Sequence, residues 1–343
     1  MNLAVVWDYS GYVNSFYIKD GVAHSFKDNK PYMYTHAISP ECFLMGPASF
    51  PWLYGDGYFL NLSEWEDGLP DLDLDIILYS CEHKGLLNEN YDNYRVSRLR
   101  KKYPNAKIIG LIKEWGVNFN NQDNFSEEKY KNRIDYLNES DAIGILLNLE
   151  TFNELPEAKT TIKDLNKPLQ FLESPMNTDY LCDNFYKPEK ELSIYAYLPH
   201  QHHRRGDTYE FVKYISEKYQ IQVRFKSLQN GQKFDYLSQK QFIELWSPSL
   251  FHFNLDPLRT QPGQQCKQVA CVGSINIGGL NNSHMELYPE TATNDRKVLE
   301  EKFVEYMEDE NKRGEVVQKA WDRVNELYSH TAVRKQIGKL FYE

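Results

Sequence analysis

Apolar residues follow two rhythms along this chain, and the rhythms alternate. Unbroken runs at LAVVWD (3–8), DIILYS (75–80), AKIIGLI (106–112), AIGILL (142–147) and LQFLES (169–174) predict strands. Between them, DNYRVSRLRKKYP and SEEKYKNRIDYLNES carry the wider spacing of helices. Strands alternating with helices indicate an α/β architecture with a parallel sheet. Residues 21–70 are rich in Gly, Pro and aromatics and fit extra strands or an irregular cap. The stretch MNTDYLCDNFYKPEKE (176–191) is polar and contains a proline, which marks a boundary.

Beyond it the alternation restarts with LSIYAYL (192–198), DTYEFVKYISEKY, IQVRFKS, SQKQFIELW, LFHFNL, the stretch RTQPGQQCKQVACVGSINIGG (259–279) and MELYP. The tail from residue 315 places Val317, Trp321, Val324, Leu327 and Tyr328 on one face and predicts a single long helix. The expectation is two doubly wound domains, 1–185 and 186–320, facing a cleft, with 321–343 a helix packing back toward the first. Repeats and low-complexity tracts are absent from the sequence.

Length agrees, since 343 residues exceed one usual hydrophobic core. Charge separates the halves. Residues 1–185 hold 17 Lys and Arg against 28 Asp and Glu, whereas 186–343 hold 22 against 21, within a net charge of −10. An acidic first half disfavours a groove tracking nucleic-acid phosphates, and the near-neutral second half is the better host for an anionic ligand. The 25 tyrosines suit carbohydrate and nucleotide surfaces, and ordinary packing equally. Cys42, Cys81, Cys182, Cys266 and Cys271 form no CxxC pair, which fits a reduced intracellular protein without a zinc site. The N-terminus reads as no signal peptide and no run is long enough to span a bilayer, so a soluble cytoplasmic chain is expected.

Two stretches carry candidate chemistry. In LSIYAYLPHQHHRRGDTYEFVKYI a strand ends at Leu198 and a helix is expected near Asp207, leaving His200, His202, His203, Arg204, Arg205 and Gly206 in a loop at the strand's carboxyl end. Ligands of doubly wound sheets bind at that edge, and cations beside a helix amino terminus suit a diphosphate. The H-x-H-H spacing lacks the carboxylate or thiolate partners of a usual metal site. A solvated basic loop is the plainer alternative. In the stretch 259–279, Gly263 precedes a short predicted helix that opens with Gln264, Gln265 and Gln268 and runs toward buried Val269, Ala270, Cys271 and Val272. Amides in that place are neutral gripping groups for hydroxyls.

The second half resembles the donor-binding domain of the retaining GT-B glycosyltransferases with the E-x7-E motif. Counting back from Gly206 puts Arg205 at the family's lysine position and His200 at its arginine position, both of which bind diphosphate. Thr260, Gly263, Gln268 and Gly273 fall at the positions of the first Glu, the glycine, the second Glu and the closing glycine, so both glutamates are replaced. PMNTD (175–179) is similar to the family's interdomain segment, and ELYPETATNDRKVLEEKF to the stretch beyond the donor site. The resemblance covers about residues 170–310 and rests on order and spacing.

It implies two Rossmann-like domains and transfer of a sugar from a nucleoside diphosphate-sugar, UDP-sugar foremost, to a hydroxyl of a glycan, lipid-linked or small-molecule acceptor. Retention, no cofactor and no obligatory metal go with it. His200, Arg204 and Arg205 would hold the diphosphate, and Thr260, Gly263, Gln264 and Gln268 the ribose and sugar. The acceptor candidates are Asp8, His83 and Glu114, at strand ends of the first half, with Glu114 orienting or deprotonating the hydroxyl. The alternatives are a phage-type DNA base glycosyltransferase, a nucleotide-sugar epimerase of the same fold, and a non-catalytic nucleotide- or glycan-binding module. DNA is disfavoured by the acidic charge. Asp71, Asp73 and Asp75 match a metal-holding D-x-D spacing, but they precede a strand rather than close one and read as a polar strand entry. Arg95, Arg98 and Lys102 share a helix face, read first as solvated, with contact to anionic lipid or to phosphates as the functional alternative.

Overall fold

The computed structural model describes residues 1–7, 14–30, 46–55, 57–65, 68–80, 96–112, 127–146, 164–198, 202–227, 239–255 and 263–342. The described strands are β1 (Leu3–Trp7), β2 (Phe16–Lys19), β3 (Val22–Ser25), β4 (Gly57–Asn61), β5 (Ile76–Ser80), β6 (Lys107–Ile112), β7 (Ala142–Ile145), β8 (Leu169–Phe171), β9 (Glu191–Leu198), β10 (Gln222–Ser227), β11 (Ser249–Phe253) and β12 (Ile275–Ile277). The α-helices are α1 (Val96–Lys102), α2 (Glu127–Glu139), α3 (Thr178–Phe185), α4 (His202–Tyr219), α5 (Gln239–Trp246), α6 (Gln264–Cys271), α7 (Asn282–Leu287), α8 (Arg296–Glu308), α9 (Glu310–Tyr328) and α10 (His330–Tyr342).

The chain forms two compact units, one of Met1–Pro175 with His330–Glu343 and one of Met176–Ser329. Division therefore falls at Pro175 rather than at residue 185, and the return at His330 rather than at 321. The polar stretch read as a boundary contains α3, whose Leu181 and Phe185 are buried and whose first turn is capped by Asn177 accepting from the Tyr180 N–H at 3.1 Å. Two apolar residues within a polar sequence are enough to seat a short helix, and it packs on α6 in the second unit.

In the first unit the sheet order is β3-β2-β4-β1-β5-β6-β7-β8. All pairings from β4 to β8 are parallel, while β2 is antiparallel to both β3 and β4. The β2–β3 hairpin and β4 supply the extra strands expected around residues 21–70. Both faces of this sheet are covered. Ala4, Val6, Ile77, Tyr79, Ile108 and Ile143 pack with Val96 and Leu99 of α1 and Leu137 of α2. Leu3, Val5, Phe59, Leu78 and Leu111 pack on the other face with Phe50 and with Val333 and Ile337 of α10. Double coverage explains why LAVVW lacks polar alternation.

The predicted single tail helix is broken. Ser329 has φ −58° and ψ 154°, which ends α9 and starts α10. The extended residue lets Met176 form a parallel bridge with Ser329, and the Met176 N–H donates to Tyr328 O at 2.8 Å, occupying a carbonyl at the end of α9. The second unit holds a parallel sheet in the order β10-β9-β11-β12. MELYP, expected as a further element of the alternation, is the end of α7 followed by a 3-10 turn over Pro289–Thr291. Among the described residues no helix is long and apolar enough to cross a membrane.

His330 opens α10 inside the first unit, with its Nε2 2.7 Å from Ser49 Oγ. Burial pulls its pKa down to about 4, and Arg334 adds repulsion. The folded state keeps this imidazole neutral while the unfolded chain protonates near pH 6.5, so stability falls as pH drops through that window. Between pH 6.5 and roughly 5 this group should cost about 2 kcal/mol of stability. Urea unfolding across that range should show the loss in the native chain, and His330→Gln should remove that part of it. An unchanged pH slope in the variant would count against the assignment.

Candidate functional site

The basic cluster after β9 is helical, not a loop. Helix α4 begins at His202 rather than near Asp207, so the backbone of His202, His203, Arg204, Arg205 and Gly206 forms its first turns. Those turns are wholly polar and carry no amphipathic signal. The buried stripe of Thr208, Phe211, Val212 and Ile215 starts only afterwards, which is why periodicity placed the start late. His200 lies outside the described residues, as do Thr260, Asp8, His83 and Glu114.

A chain of contacts along the carboxyl edge of the second sheet joins α4 to α6. Thr208, fully buried in α4, accepts the Leu255 N–H just beyond β11 at 3.0 Å. Leu255 and Asn254 in turn lie against the Gly278-Gly279 turn that follows β12. A Cβ on Gly278 would come within 2.8 Å of Leu255 Cδ1, and one on Gly279 within 2.7 Å of Asn254 O. Asn254 N–H donates to Ile277 O at 3.0 Å, which ties the ends of β11 and β12. Just past that turn Asn281 meets Gly263. The two stretches singled out in the sequence therefore share one edge.

Gly263 is the N-cap of α6 in the left-handed conformation, φ 65° and ψ 45°, and no side chain caps the helix. A Cβ there would lie 1.9 Å from Asn281 Oδ1. Gly263 itself offers no side chain to cap the first turn, where the Cys266 N–H donates to Gly263 O at 3.0 Å, and a helix amino end at a sheet edge suits an anion. Cys266, Val269 and Ala270 bury the inner face, and Lys267 is fully buried with Nζ 3.7 Å from the Tyr328 ring centre. Gln268 is 3 % exposed, one turn beyond Gln264. Both amide atoms of Gln265 are buried without a hydrogen-bond partner among the described residues, and so is Asn254 Oδ1.

Beneath this edge lies a polar network missed in the sequence. Asn281 caps α7 by accepting the His284 N–H at 2.9 Å. His284 Nδ1 lies 2.9 Å from Asn276 Nδ2, and its Nε2 lies 3.1 Å from Thr291 Oγ1, whose hydroxyl donates to Asn276 O at 2.7 Å. Burial pushes the His284 pKa down to about 3, so the network is neutral. Asn294 accepts the Gly279 N–H at 3.0 Å and fixes the turn from the far side. The signal available was Gly-Gly followed by Asn281 ahead of a short helix, an N-cap pattern. A cavity of about 610 Å³ opens elsewhere, at the amino ends of β9 and β11, where Lys190, Leu192 and Leu250 line it.

In the first unit the acidic triplet is engaged structurally. Asp71 pairs with Lys102, which holds its carboxyl below the usual range. Asp73 O accepts from Asn2 Nδ2 at 2.9 Å, and Asp75 accepts the Asn2 N–H at 2.7 Å. The basic helix is tied down as well. Besides the Lys102 pair, Arg98 Nη2 reaches Trp65 O at 3.4 Å, and Arg100 bonds Asp141 at 3.1 Å. Arg95 lies outside the described residues.

No protein-family model matches the sequence, and no curated protein matches it. Solved structures do. An alpha-glucosyltransferase in complex with UDP and a 13-mer DNA containing a HMU base aligns over 84% of this chain and 86% of its own, at 13% identity and TM-score 0.54. OtsA in its apo form aligns over 80% and 74%, at 13% identity and TM-score 0.53. A variant of TarM from S. aureus, in complex with fondaparinux, alpha-GlcNAc-glycerol and UDP, aligns over 98% of this chain and 66% of its own, at 11% identity and TM-score 0.57. These likenesses are of fold. The chain has the fold of the GT-B glycosyltransferases, with a largely parallel, Rossmann-like sheet in the first unit and a parallel one in the second.

Replacing Gly263 with Ala should destabilise the protein by about 2 kcal/mol, because the left-handed conformation is costly for a residue with a Cβ and the Asn281 carboxamide must move. In an Asn281→Ala background the same change should cost clearly less. Equal costs in a double-mutant cycle read by urea unfolding would show that the two residues do not meet.

Proposed function

We propose that the chain is a glycosyltransferase that moves a sugar from a UDP-sugar to a hydroxyl group. The observation that carries this reading is the convergence of two helix amino ends, those of α4 and α6, on one carboxyl edge of the second sheet. Two helix amino ends at the carboxyl edge of a parallel sheet form a receptacle for a diphosphate. Support comes from proteins of the same fold that hold UDP or UDP-glucose, among them the alpha-glucosyltransferase and the TarM variant.

In this reading Arg204 and Arg205, in the first turn of α4, and His200 ahead of it neutralise the leaving diphosphate. The α6 backbone beyond Gly263 receives it from the other side. Gln264, Gln265 and Gln268, with Thr260 before the turn, bind ribose and sugar where the E-x7-E enzymes use glutamates. The unpartnered Gln265 amide can both donate and accept there. Cations and helix ends do the work of a metal, so transfer needs no metal and no cofactor. Absence of a nucleophile among these donor residues favours retention by a same-face mechanism. Asp8, His83 and Glu114 serve the acceptor, with Glu114 as the base.

The acceptor is a hydroxyl of a glycan, a lipid-linked glycan or a small molecule. A second reading, transfer to a modified base in DNA, is favoured by the likeness to the alpha-glucosyltransferase seen with DNA. The acidic first half argues against it.

Calorimetry with UDP tests the donor site. Arg205→Ala should weaken UDP binding by about 1.5–3 kcal/mol, the scale of a charged hydrogen bond, and unchanged affinity would sink the assignment. For the chemistry, incubation with UDP-sugar and candidate acceptors in excess EDTA should leave transfer intact, with the anomeric configuration of the donor kept in the product by NMR. Complete loss of transfer on chelation, restored by a divalent cation, would refute metal independence.

A further inference from the structure

At the opposite end of α6 from Gly263 two cysteines meet. Helices α3 and α6 pack directly, and Cys182 of α3 sends its Sγ to Cys271 O, 3.3 Å away on the last turn of α6. Trp321 of α9 donates its Nε1–H to Cys182 Sγ at 3.1 Å. Cys182 is partly exposed, while Cys271 is fully buried with its Sγ 3.4 Å from Met176 Sδ. Cys266 lies one turn earlier on α6, but it is buried and accepts from Asn276 Nδ2 at 3.2 Å. No disulfide joins Cys182, Cys266 or Cys271.

We propose that Cys182 and Cys271 are a peroxide-oxidisable pair, a modification site that closes reversibly as a disulfide between α3 and α6. The division of labour follows from exposure. Cys182 is the partner a small hydroperoxide reaches, and the buried Cys271 is the resolving thiol. The Cys271 and Trp321 hydrogen bonds hold the Cys182 thiol down to about pKa 7 against burial and the neighbouring carboxylates. The charged groups facing the pair are Asp179 and Asp183 from α3, which oppose the thiolate, and Lys267 from α6, which acts on Cys271.

In the first step the Cys182 thiolate attacks one oxygen of the hydroperoxide. The S–O bond forms, the O–O bond breaks, and the departing oxygen takes a proton to leave as alcohol or water, giving a sulfenic acid. In the second step Cys271 sulfur attacks the sulfenic sulfur. The S–S bond forms, the S–O bond breaks, and hydroxide leaves with the Cys271 proton as water. Two thiols are oxidised by two electrons and one peroxide is reduced. This inference does not depend on the donor reading, because neither cysteine is part of the proposed diphosphate site.

The test uses the full chain treated with equimolar hydrogen peroxide near neutral pH, then alkylated and peptide-mapped. The expected product is a Cys182–Cys271 disulfide that dithiothreitol reverses. Cys271→Ser should stop at a sulfenic acid on Cys182 that dimedone traps, and Cys182→Ser should leave Cys271 reduced. Trp321→Phe should slow oxidation about tenfold and move its pH–rate profile up by about one unit, a shift that loss of packing alone would not produce. Pairing of either cysteine with Cys42, Cys81 or Cys266, or a reduced Cys182 after other thiols have reacted, would overturn the proposal. The map of the native protein decides the matter even if a variant fails to fold.

Discussion

Everything at the carboxyl edge of the second sheet turns on how closely Gly263 approaches the Asn281 carboxamide. That oxygen accepts the His284 N–H and so starts α7, while the missing Cβ on Gly263 lets the backbone entering α6 pass directly over it. One side chain thereby fixes the starts of two helices that follow different strands. Gly263 has no side chain with which to cap α6, and Asn281 braces that residue at the start of the helix. A preorganised binding edge needs both conditions. Loose donors would lose binding energy to ordering, and capped donors would have none to offer.

The platform below that edge is neutral by construction. His284 is kept uncharged by burial, and its partners Asn276 and Thr291 carry no charge. In the proposed reading, the cations that meet the diphosphate come from the first turn of α4. A pyrophosphate would meet fixed dipoles from α6 and formal charge from Arg204 and Arg205. Such a division suits a leaving group, because the dipoles position it in the ground state while the cations respond to charge that grows as the glycosidic bond breaks.

Much of the fold was legible because strands covered on both faces announce themselves as unbroken apolar runs. LAVVW, DIILYS and AKIIGLI were found to within a residue or two for that reason. Helix starts were harder. Helix α4 begins with five polar residues and a glycine, and spacing cannot detect a turn that has no apolar residue. Helix α3 was read as a boundary because its two buried apolar residues are too few to register as a period. The tail looked continuous because α9 and α10 have compatible patterns, and only the extended backbone at Ser329 separates them. Of the site, Gly263 and the glutamine-rich turn were visible as a stretch too polar for its surroundings. Asn254 and His284 were not, since their meaning arises from contacts among β11, β12 and α7 that form only in the folded chain, and Asn281 was passed over although its N-cap pattern was present.

The place of α10 has a consequence for biogenesis. Val333 and Ile337 complete a core whose other members, such as Leu3, Val5 and Phe59, are made long before them. Vectorial synthesis favours amino-terminal domains, which ordinarily fold first as they leave the ribosome. Here the earlier-made unit must wait with one sheet face incompletely covered until the intervening Met176–Ser329 unit has been translated. Ribosome pausing or a holding chaperone would matter most during that interval, when the nascent chain carries an exposed apolar sheet face and has not yet received α10.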